Sequence, residues 1–227
     1  MHITTLVVTP FQQNCRLLID PESKKLTVVD PGGEVDQIIA EIQASGAEVE
    51  QIFTTHAHID HIGGVSTLEE ELEKLGKPKP KLIGHRIEEQ MRKSIERQAE
   101  MFGVAPGYFR NMREPDVYLE HGESLLVGKF EAKALFTPGH SPGHLSLYFE
   151  NVISEATGGP TLIAGDALFN GSIGRTDLPG GDHQTLIESI KRELLVLPED
   201  TEVLCGHGPN TTIGKEKTSN PFLQMEV

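Results

Sequence analysis

The chain has 227 residues, of which 37% are hydrophobic and 24% charged, so it is long enough to bury a substantial core. Its formal net charge of −14 disfavours binding to nucleic-acid backbones, although a bound cation could reverse the local potential. The sequence has no run of about 18 apolar residues and no signal-peptide pattern, and its two cysteines, Cys15 and Cys205, are far apart. Two isolated cysteines are typical of a reducing compartment. Together with the charge, these features predict a cytoplasmic protein that binds neither membranes nor nucleic acid.

Strand and helix patterns alternate in the first hundred residues. HITTLVV, CRLLI and LTVVD are typical of strands, and the intervening TPFQQN and DPESKK are typical of turns. Helical spacing from Val35 predicts a helix that ends at Gly46, and EVEQIFTT predicts a strand that leads into a histidine-rich loop. An amphipathic helix over residues 64–75, the short strand KLIG and a long helix over residues 86–102 are expected next. The apolar face of that long helix is predicted to carry Ile87, Met91, Ile95 and Ala99.

The second half of the chain is richer in strands. A loop over residues 103–116 precedes a hairpin made of ESLLVG and KFEAKALFT, followed by the strands LSLYFE and TLIAG. Residues 167–181 are expected to form a long loop, residues 183–195 a helix, EVLCG the last strand, and a short helix is expected near Ile213. Because hairpins mix with helices and no linker divides the chain, the sequence predicts one layered α/β domain over residues 1–227 rather than a doubly wound parallel sheet.

The stretch TTHAHIDHIGG concentrates metal-ligand side chains in one loop. His56 and His58 are two residues apart, so an extended segment directs both side chains to the same side. Asp60 and His61 follow where the chain turns toward the next helix. Imidazole nitrogens and carboxylate oxygens are the ligands that suit Zn²⁺ and similar first-row ions. The loop is therefore predicted to bind metal.

Three other candidate ligands stand in loops that follow predicted strands. His140 lies in TPGHSPGH, Asp166 in IAGDALF and His207 in CGHGPN. Loops held by a rigid sheet are where functional sites are usually built. His144, four residues after His140, is interpreted as a local hydrogen-bonding partner rather than a ligand.

These motifs resemble the metallo-β-lactamase superfamily and, within it, the glyoxalase II branch, whose signature T-H-x-H-x-D-H-x-G-G is complete at residues 55–64. The resemblance begins at TPFQQNC and DPGG, continues through PGHSPGH and GDALFNGSIGRTDLPGGDH, and closes at GHGP and NPF. The last two stretches resemble the short bacterial type of this enzyme. The resemblance implies a four-layer αββα sandwich.

The resemblance also implies a centre with two divalent metal ions per chain, zinc being expected and iron or manganese the alternatives. One ion would bind His56, His58 and His140, and the other Asp60, His61 and His207, with Asp166 bridging the two. Two ions about 3.5–4 Å apart can hold a shared water and lower its pKa toward about 7, which supplies hydroxide without a serine or cysteine nucleophile. The same ions can stabilise the oxyanion that forms on the substrate.

Metal-assisted hydrolysis is what the residues themselves indicate, and the resemblance implies thioester cleavage. S-lactoylglutathione and water would give D-lactate and glutathione, a step of methylglyoxal detoxification. Asp60 is a candidate catalytic residue that accepts the proton of the attacking water, in addition to binding metal.

Longer glyoxalase II enzymes carry a C-terminal helical domain with basic residues for glutathione. Only twenty residues follow His207, so the sequence predicts that this domain is absent and that glutathione is held in another way. Arg175, in the loop after Asp166, is the first candidate for binding the substrate, and Lys215 and Lys217 are the next. The oligomeric state is not predicted.

Other activities remain open for the same scaffold. Persulfide dioxygenases resemble the same family but use one iron ion held by two histidines and an aspartate, and lactonases share the histidine loop. The hydrolase is favoured because His207 stands in a complete GHG motif and because the sequence contains the PGGDH segment. A non-catalytic module stabilised by metal would need closed coordination spheres, which seven ligands for two ions do not provide.

Overall fold

The computed structural model describes residues 1–224 and contains two compact units. Unit 1 consists of Met1–Leu119 with Val127–Lys129, and unit 2 consists of Glu120–Leu126 with the chain from Phe130 onward. The single domain over residues 1–227 stays a prediction. Within residues 1–224, the helices lack the length and apolar character needed to cross a membrane.

Unit 1 is built on a sheet with strand order β1-β2-β3-β4-β5-β6. Strands β1 to β3 pair antiparallel, whereas β3 to β6 pair parallel, so the sheet is mixed. Its strands are β1 His2–Val8, β2 Gln13–Ile19, β3 Lys25–Val29, β4 Glu48–Phe53, β5 Lys81–Gly84 and β6 Val117–Tyr118. Its helices are α1 Val35–Ser45, α2 Ile59–Ile62, α3 Val65–Lys74, α4 Glu89–Arg92 and α5 Ile95–Met101.

Helices α1, α3 and α5 share one hydrophobic core with this sheet. Each helix buries an apolar stripe, such as Val65, Leu68 and Leu72 of α3, against strand residues including Leu17 and Ile52. The predicted boundary at Gly46 is confirmed, since this glycine adopts the left-handed backbone conformation (φ 63°) that closes α1.

The predicted long helix over residues 86–102 is wrong. A 3₁₀ turn, Arg86–Glu88, leads into α4, and the chain turns again at Ser94 before α5 begins. Ile87, expected on the apolar face, is 54% exposed, whereas the charged residues Glu88 and Arg92 are each only 3% exposed. The Glu88 carboxylate accepts a hydrogen bond from the Ala57 N–H, so a polar contact with the histidine loop overrides the apolar pattern.

Unit 2 is built on a second mixed sheet, with strand order β14-β13-β10-β9-β8-β7. The pair β10 and β13 is parallel, and the pairs β8–β9, β9–β10 and β13–β14 are antiparallel. Its strands are β7 Ser124–Val127, β8 Phe130–Phe136, β9 Leu145–Phe149, β10 Thr161–Gly165, β13 Glu202–Cys205 and β14 Thr211–Thr212, and its helices are α6 His183–Ser189, α7 Ile213–Ser219 and α8 Pro221–Gln224.

The segment predicted as a long loop over residues 167–181 contains a small hairpin of its own. Strands β11 Leu168–Phe169 and β12 Ser172–Ile173 pair antiparallel around Gly171, whose φ of 73° suits the turn. Helix α6 continues into a π-helical turn, Ile190–Leu194, and its apolar residues pack in the core of unit 2 with Leu162 and Val203. The hairpin and α6 therefore flank the loops that follow β8 and β10.

Candidate metal centre

The four predicted ligands of the histidine loop lie together in unit 1. His56 and His58 follow β4, while Asp60 and His61 lie in the short helix α2. His56 Nε2 and His58 Nδ1 are 3.0 Å apart, and the His56 and His61 ring centroids are 4.1 Å apart. The three histidines are buried, and the Asp60 carboxylate, 3.9 Å from His61 Nε2, keeps 15% exposure. This part of the chain thus places His56 beside His58 and Asp60 beside His61, with the His56 and His61 rings next to each other.

A buried aspartate at the end of β3 orients one of these histidines. Asp30 Oδ2 lies 2.9 Å from His61 Nδ1, and the same carboxylate accepts hydrogen bonds from the Thr55 N–H and hydroxyl at 2.7 Å each. A carboxylate on Nδ1 fixes the tautomer and makes Nε2 the ligand nitrogen. Asp30 adopts φ 51°, a strained conformation that is kept at functional sites when the surrounding contacts enforce it.

His56 and His58 are held through the backbone and side chains next to them. Thr55 Oγ1 lies 3.0 Å from His56 Nδ1, so the ring presents Nε2 as its ligand nitrogen. Between the two histidines, the Ala57 N–H donates to Glu88 Oε2 at 2.9 Å. The loop that carries the ligands is therefore fixed both at its own threonine and from the segment before α4.

The three remaining predicted ligands lie together in unit 2. Asp166 Oδ2 is 3.5 Å from His140 Nε2 and 3.4 Å from His207 Nε2. Tetrahedral metal–ligand bonds of about 2.1 Å place neighbouring ligand atoms about 3.4 Å apart. One carboxylate oxygen thus stands at ligand–ligand spacing from two histidines.

The parallel pairing of β10 and β13 brings Asp166 and His207 to the same edge of the sheet. The register opposes Gly165 to Cys205, and the Gly206 N–H donates to the Gly165 carbonyl at 2.8 Å. A Cβ on Gly206 would lie 2.1 Å from Asp166 Oδ1, so only glycine permits this approach. Gly206 therefore permits the close packing of β13 against Asp166.

His144 is a hydrogen-bonding partner, as predicted. Its Nε2 accepts from the Asp166 N–H at 3.0 Å, which leaves Nδ1 as the donor to Thr137 Oγ1 at 2.8 Å. Thr137 in turn contacts Ser146 Oγ at 3.0 Å, and Ser146 donates to the Ala164 carbonyl. This buried relay fixes the backbone at Asp166.

Arg175 contributes to the site by its backbone. The His140 Nδ1–H donates to the Arg175 carbonyl at 2.7 Å, which makes Nε2 the ligand nitrogen of that histidine. The guanidinium, 61% exposed, forms a bidentate ion pair with Asp177 at 2.7 Å. This pairing raises the pKa of Arg175 and lowers the pKa of Asp177 to about 2.

The two other candidates for binding the substrate also have partners within unit 2. Lys217 pairs with Glu199, and Lys215 donates to Asn170.

Comparison with known proteins identifies relatives over the whole chain. Residues 8–207 match the protein family described as Metallo-beta-lactamase superfamily. Hydroxyacylglutathione hydrolase GloC of Haemophilus influenzae is 38% identical over 228 residues, covering 100% of each protein.

Solved structures agree with this similarity. The crystal structure of BLEG-1 B3 metallo-beta-lactamase has a TM-score of 0.83 and 34% identity, with coverage of 99% of this chain and 100% of that chain. The crystal structure of TTHA1623 in a di-iron-bound form has a TM-score of 0.82 and 36% identity, with coverage of 97% and 100%. The predicted fold class is confirmed. The chain is therefore a metallo-hydrolase of the metallo-beta-lactamase superfamily.

Proposed function

We propose that this metallo-hydrolase cleaves thioesters of glutathione, with S-lactoylglutathione as substrate and D-lactate and glutathione as products. One observation carries the proposal: Asp166 Oδ2 stands at ligand–ligand spacing from both His140 and His207. A carboxylate shared in this way is typical of a hydrolytic site with two metal ions. The full-length similarity to a hydroxyacylglutathione hydrolase supports the glutathione thioester as substrate. Methylglyoxal detoxification in the cytoplasm is the setting that we infer.

The side chains of each unit fit divalent first-row ions. Imidazole nitrogens and carboxylate oxygens are borderline ligands, and we propose zinc, with iron or manganese as alternatives. The di-iron form of TTHA1623 supports the iron alternative. When bound, two such ions lower the pKa of a water molecule and polarise the substrate carbonyl. The proposed ligands of one ion are His56, His58 and His140, those of the other are Asp60, His61 and His207, and Asp166 is shared.

Neighbouring groups orient two of the proposed imidazole ligands, His61 and His140. Asp30 holds the His61 Nδ1 proton, and the Arg175 carbonyl holds the His140 Nδ1 proton, so each ring directs Nε2 toward metal. The Asp60 carboxylate keeps some exposure, and we propose that its Oδ atom accepts a proton from the attacking water. The oxygen of that water then adds to the acyl carbon, the C–S bond breaks, and the proton held by Asp60 passes to the sulfur, which leaves as the thiol of glutathione.

Turnover of three substrates by the metal-loaded protein tests this proposal. We expect hydrolysis of S-lactoylglutathione that is independent of oxygen. Oxygen consumption with glutathione persulfide, or faster cleavage of a lactone than of the thioester, would favour the dioxygenase or the lactonase instead.

Arg175 is the predicted cation for one carboxylate of glutathione. We expect Arg175→Ala to raise KM for S-lactoylglutathione about 10-fold with kcat unchanged, because a charge-assisted contact that is equal in ground and transition states affects binding alone. This increase in KM is at the low end of the range for charge-assisted contacts, because the guanidinium is exposed and already paired with Asp177. Steady-state kinetics on S-lactoylglutathione and on a small thioester without carboxylates provide the measurement.

Asp177→Asn is the matched control for this prediction. It removes the carboxylate that competes for Arg175, so it should lower KM for S-lactoylglutathione and leave the small thioester unaffected. Equal losses on both substrates in Arg175→Ala, or a fall in kcat alone, would mean that Arg175 supports His140 and does not hold glutathione.

A further inference from the structure

Glu216 of α7 is a buried carboxylate that joins several segments of unit 2. The residue is 0% exposed, and its Oε1 atom accepts a hydrogen bond from the Thr211 hydroxyl of β14. Its Oε2 atom accepts from the Gly171 N–H at 2.9 Å and from the Asn220 side-chain amide at 2.8 Å. Hydrogen bonds to a charged acceptor are stronger than those between neutral groups, and a buried carboxylate is costly without them. The carboxylate therefore fixes the segments that supply its donors.

The hairpin of β11 and β12 is one of these segments, and Glu216 holds it at its turn. Gly171 lies in that turn, between the two strands. The Asn220 amide, besides donating to Glu216, donates to the carbonyl of the next residue, Ser172, at 2.9 Å. A two-stranded hairpin is marginally stable by itself, and these strands have only two residues each. The hairpin thus depends on contacts from the C-terminal part of unit 2.

The opposite end of the hairpin adjoins two of the proposed metal ligands. Strand β11 begins shortly after Asp166, and a Cβ on Gly174, which follows β12, would lie 2.0 Å from the Asp166 carbonyl oxygen. The next residue, Arg175, accepts the His140 Nδ1–H at its carbonyl at 2.7 Å. A displacement of the hairpin would therefore move the backbone of Asp166 and the ring of His140.

The body of the hairpin contacts a third proposed ligand. The Phe169 and His207 ring centroids are 6.1 Å apart with an interplanar angle of 87°, which is the edge-to-face arrangement that aromatic rings favour. Phe169 also packs against the hydrophobic core of unit 2. The hairpin thus links the Glu216 carboxylate to each proposed ligand of this unit.

We propose that Glu216 is a positioning residue for the metal centre. By fixing the turn of the hairpin, it holds Asp166 at ligand spacing from both His140 and His207. The inference rests on the ligands assigned under the proposed function, but it concerns a residue that binds neither metal nor substrate. Groups that orient ligands in this way raise metal affinity because the ligand geometry is set before the ion binds.

Zinc binding by the metal-depleted full-length protein, measured by competition with a chromophoric chelator, tests this inference. We expect Glu216→Met to weaken zinc binding about 10-fold, at the low end of the range for residues that orient ligands, because Glu216 acts through the hairpin. Glu216→Gln should bind zinc nearly as well as the unmodified protein. Its amide oxygen can accept from Gly171 and Asn220, while the Thr211 hydroxyl turns to accept from the new amide N–H.

Thr211→Val is the matched control, because it removes a hydrogen bond from the same carboxylate without touching the hairpin. Thr211→Val and Glu216→Met should both lower Tm of the metal-free protein, since each leaves a buried polar group without a partner, but only Glu216→Met should weaken zinc binding. Unchanged zinc affinity in Glu216→Met, equal weakening in Thr211→Val, or a Glu216→Gln protein no better than Glu216→Met would overturn the inference.

Asn220→Leu tests the same contact if Glu216→Met does not fold. It removes the donor to Ser172 and to Glu216, so it should also weaken zinc binding, and unchanged affinity would contradict the role of the hairpin. Thioester turnover by the unmodified protein separates this inference from the proposed function. If Glu216→Met weakens zinc binding but the unmodified protein hydrolyses no thioester, the proposed function fails and the positioning role stands.

Discussion

Replacing Asp166 by alanine should remove metal and activity together. Its Oδ2 lies 3.5 and 3.4 Å from His140 and His207, so the substitution removes the ligand proposed to be shared by both ions. Loss of an outer partner of a ligand costs about 10- to 100-fold in metal affinity, and loss of a shared ligand should exceed about 100-fold. Metal content of the purified variant and kcat/KM for S-lactoylglutathione measure the two effects.

Two further variants separate the role of the Asp166 carboxylate from its shape. Asp166→Asn keeps the volume but removes the charge, and it should lose metal nearly as strongly as the alanine variant. Asp200→Ala, an exposed aspartate of the same unit, should keep both metal ions and normal turnover. An Asp166→Ala protein with two metal ions and near-normal turnover would show that the assignment is wrong.

Replacing His56 or His61 by alanine should deplete different metal positions. We propose that His56 binds one ion and His61 the other, although their ring centroids are only 4.1 Å apart. Each variant should therefore retain roughly one metal ion per chain and lose most of its thioester turnover, since two ions act together on water and carbonyl. The metal content of each purified variant provides the measurement.

His183→Ala provides the control for these two variants, because His183 is the exposed first residue of α6. It should keep two metal ions and full activity. If both His56→Ala and His61→Ala still bound two ions, the division of ligands between the positions would be incorrect.

The candidate ligands can be proposed from the sequence because they lie in recognisable places. His56, His58, Asp60 and His61 are contiguous, and Asp166 and His207 follow strands whose apolar patterns are clear. Those same patterns predict hairpins mixed with helices in a layered α/β fold, and both units contain sheets flanked by helices.

The residues that orient the ligands are harder to predict. Asp30 reaches His61 across 31 positions and Glu88 reaches Ala57 across 31 positions, and neither contact leaves a local pattern. An aspartate that ends a strand before Pro-Gly-Gly is the one local signal that could have indicated Asp30.

Two errors in secondary structure have physical causes. The long helix over residues 86–102 fails because Glu88 and Arg92 occupy buried positions that periodicity assigns to apolar residues such as Ile87. The hairpin of β11 and β12 escapes prediction because two-residue strands are too short to show alternation. Both segments lie next to the proposed ligands: one contacts the histidine loop, and the other follows Asp166 directly. Sequence patterns predict secondary structure least well at such functional sites.

Titration of metal-depleted protein with zinc, with S-lactoylglutathione hydrolysis measured at each step, tests the central claim most directly. We expect activity to rise until two equivalents of metal per chain have bound and then to stay constant, without any need for oxygen. Full activity at one equivalent, or no hydrolysis at two, would contradict a thioester hydrolase with two metal ions.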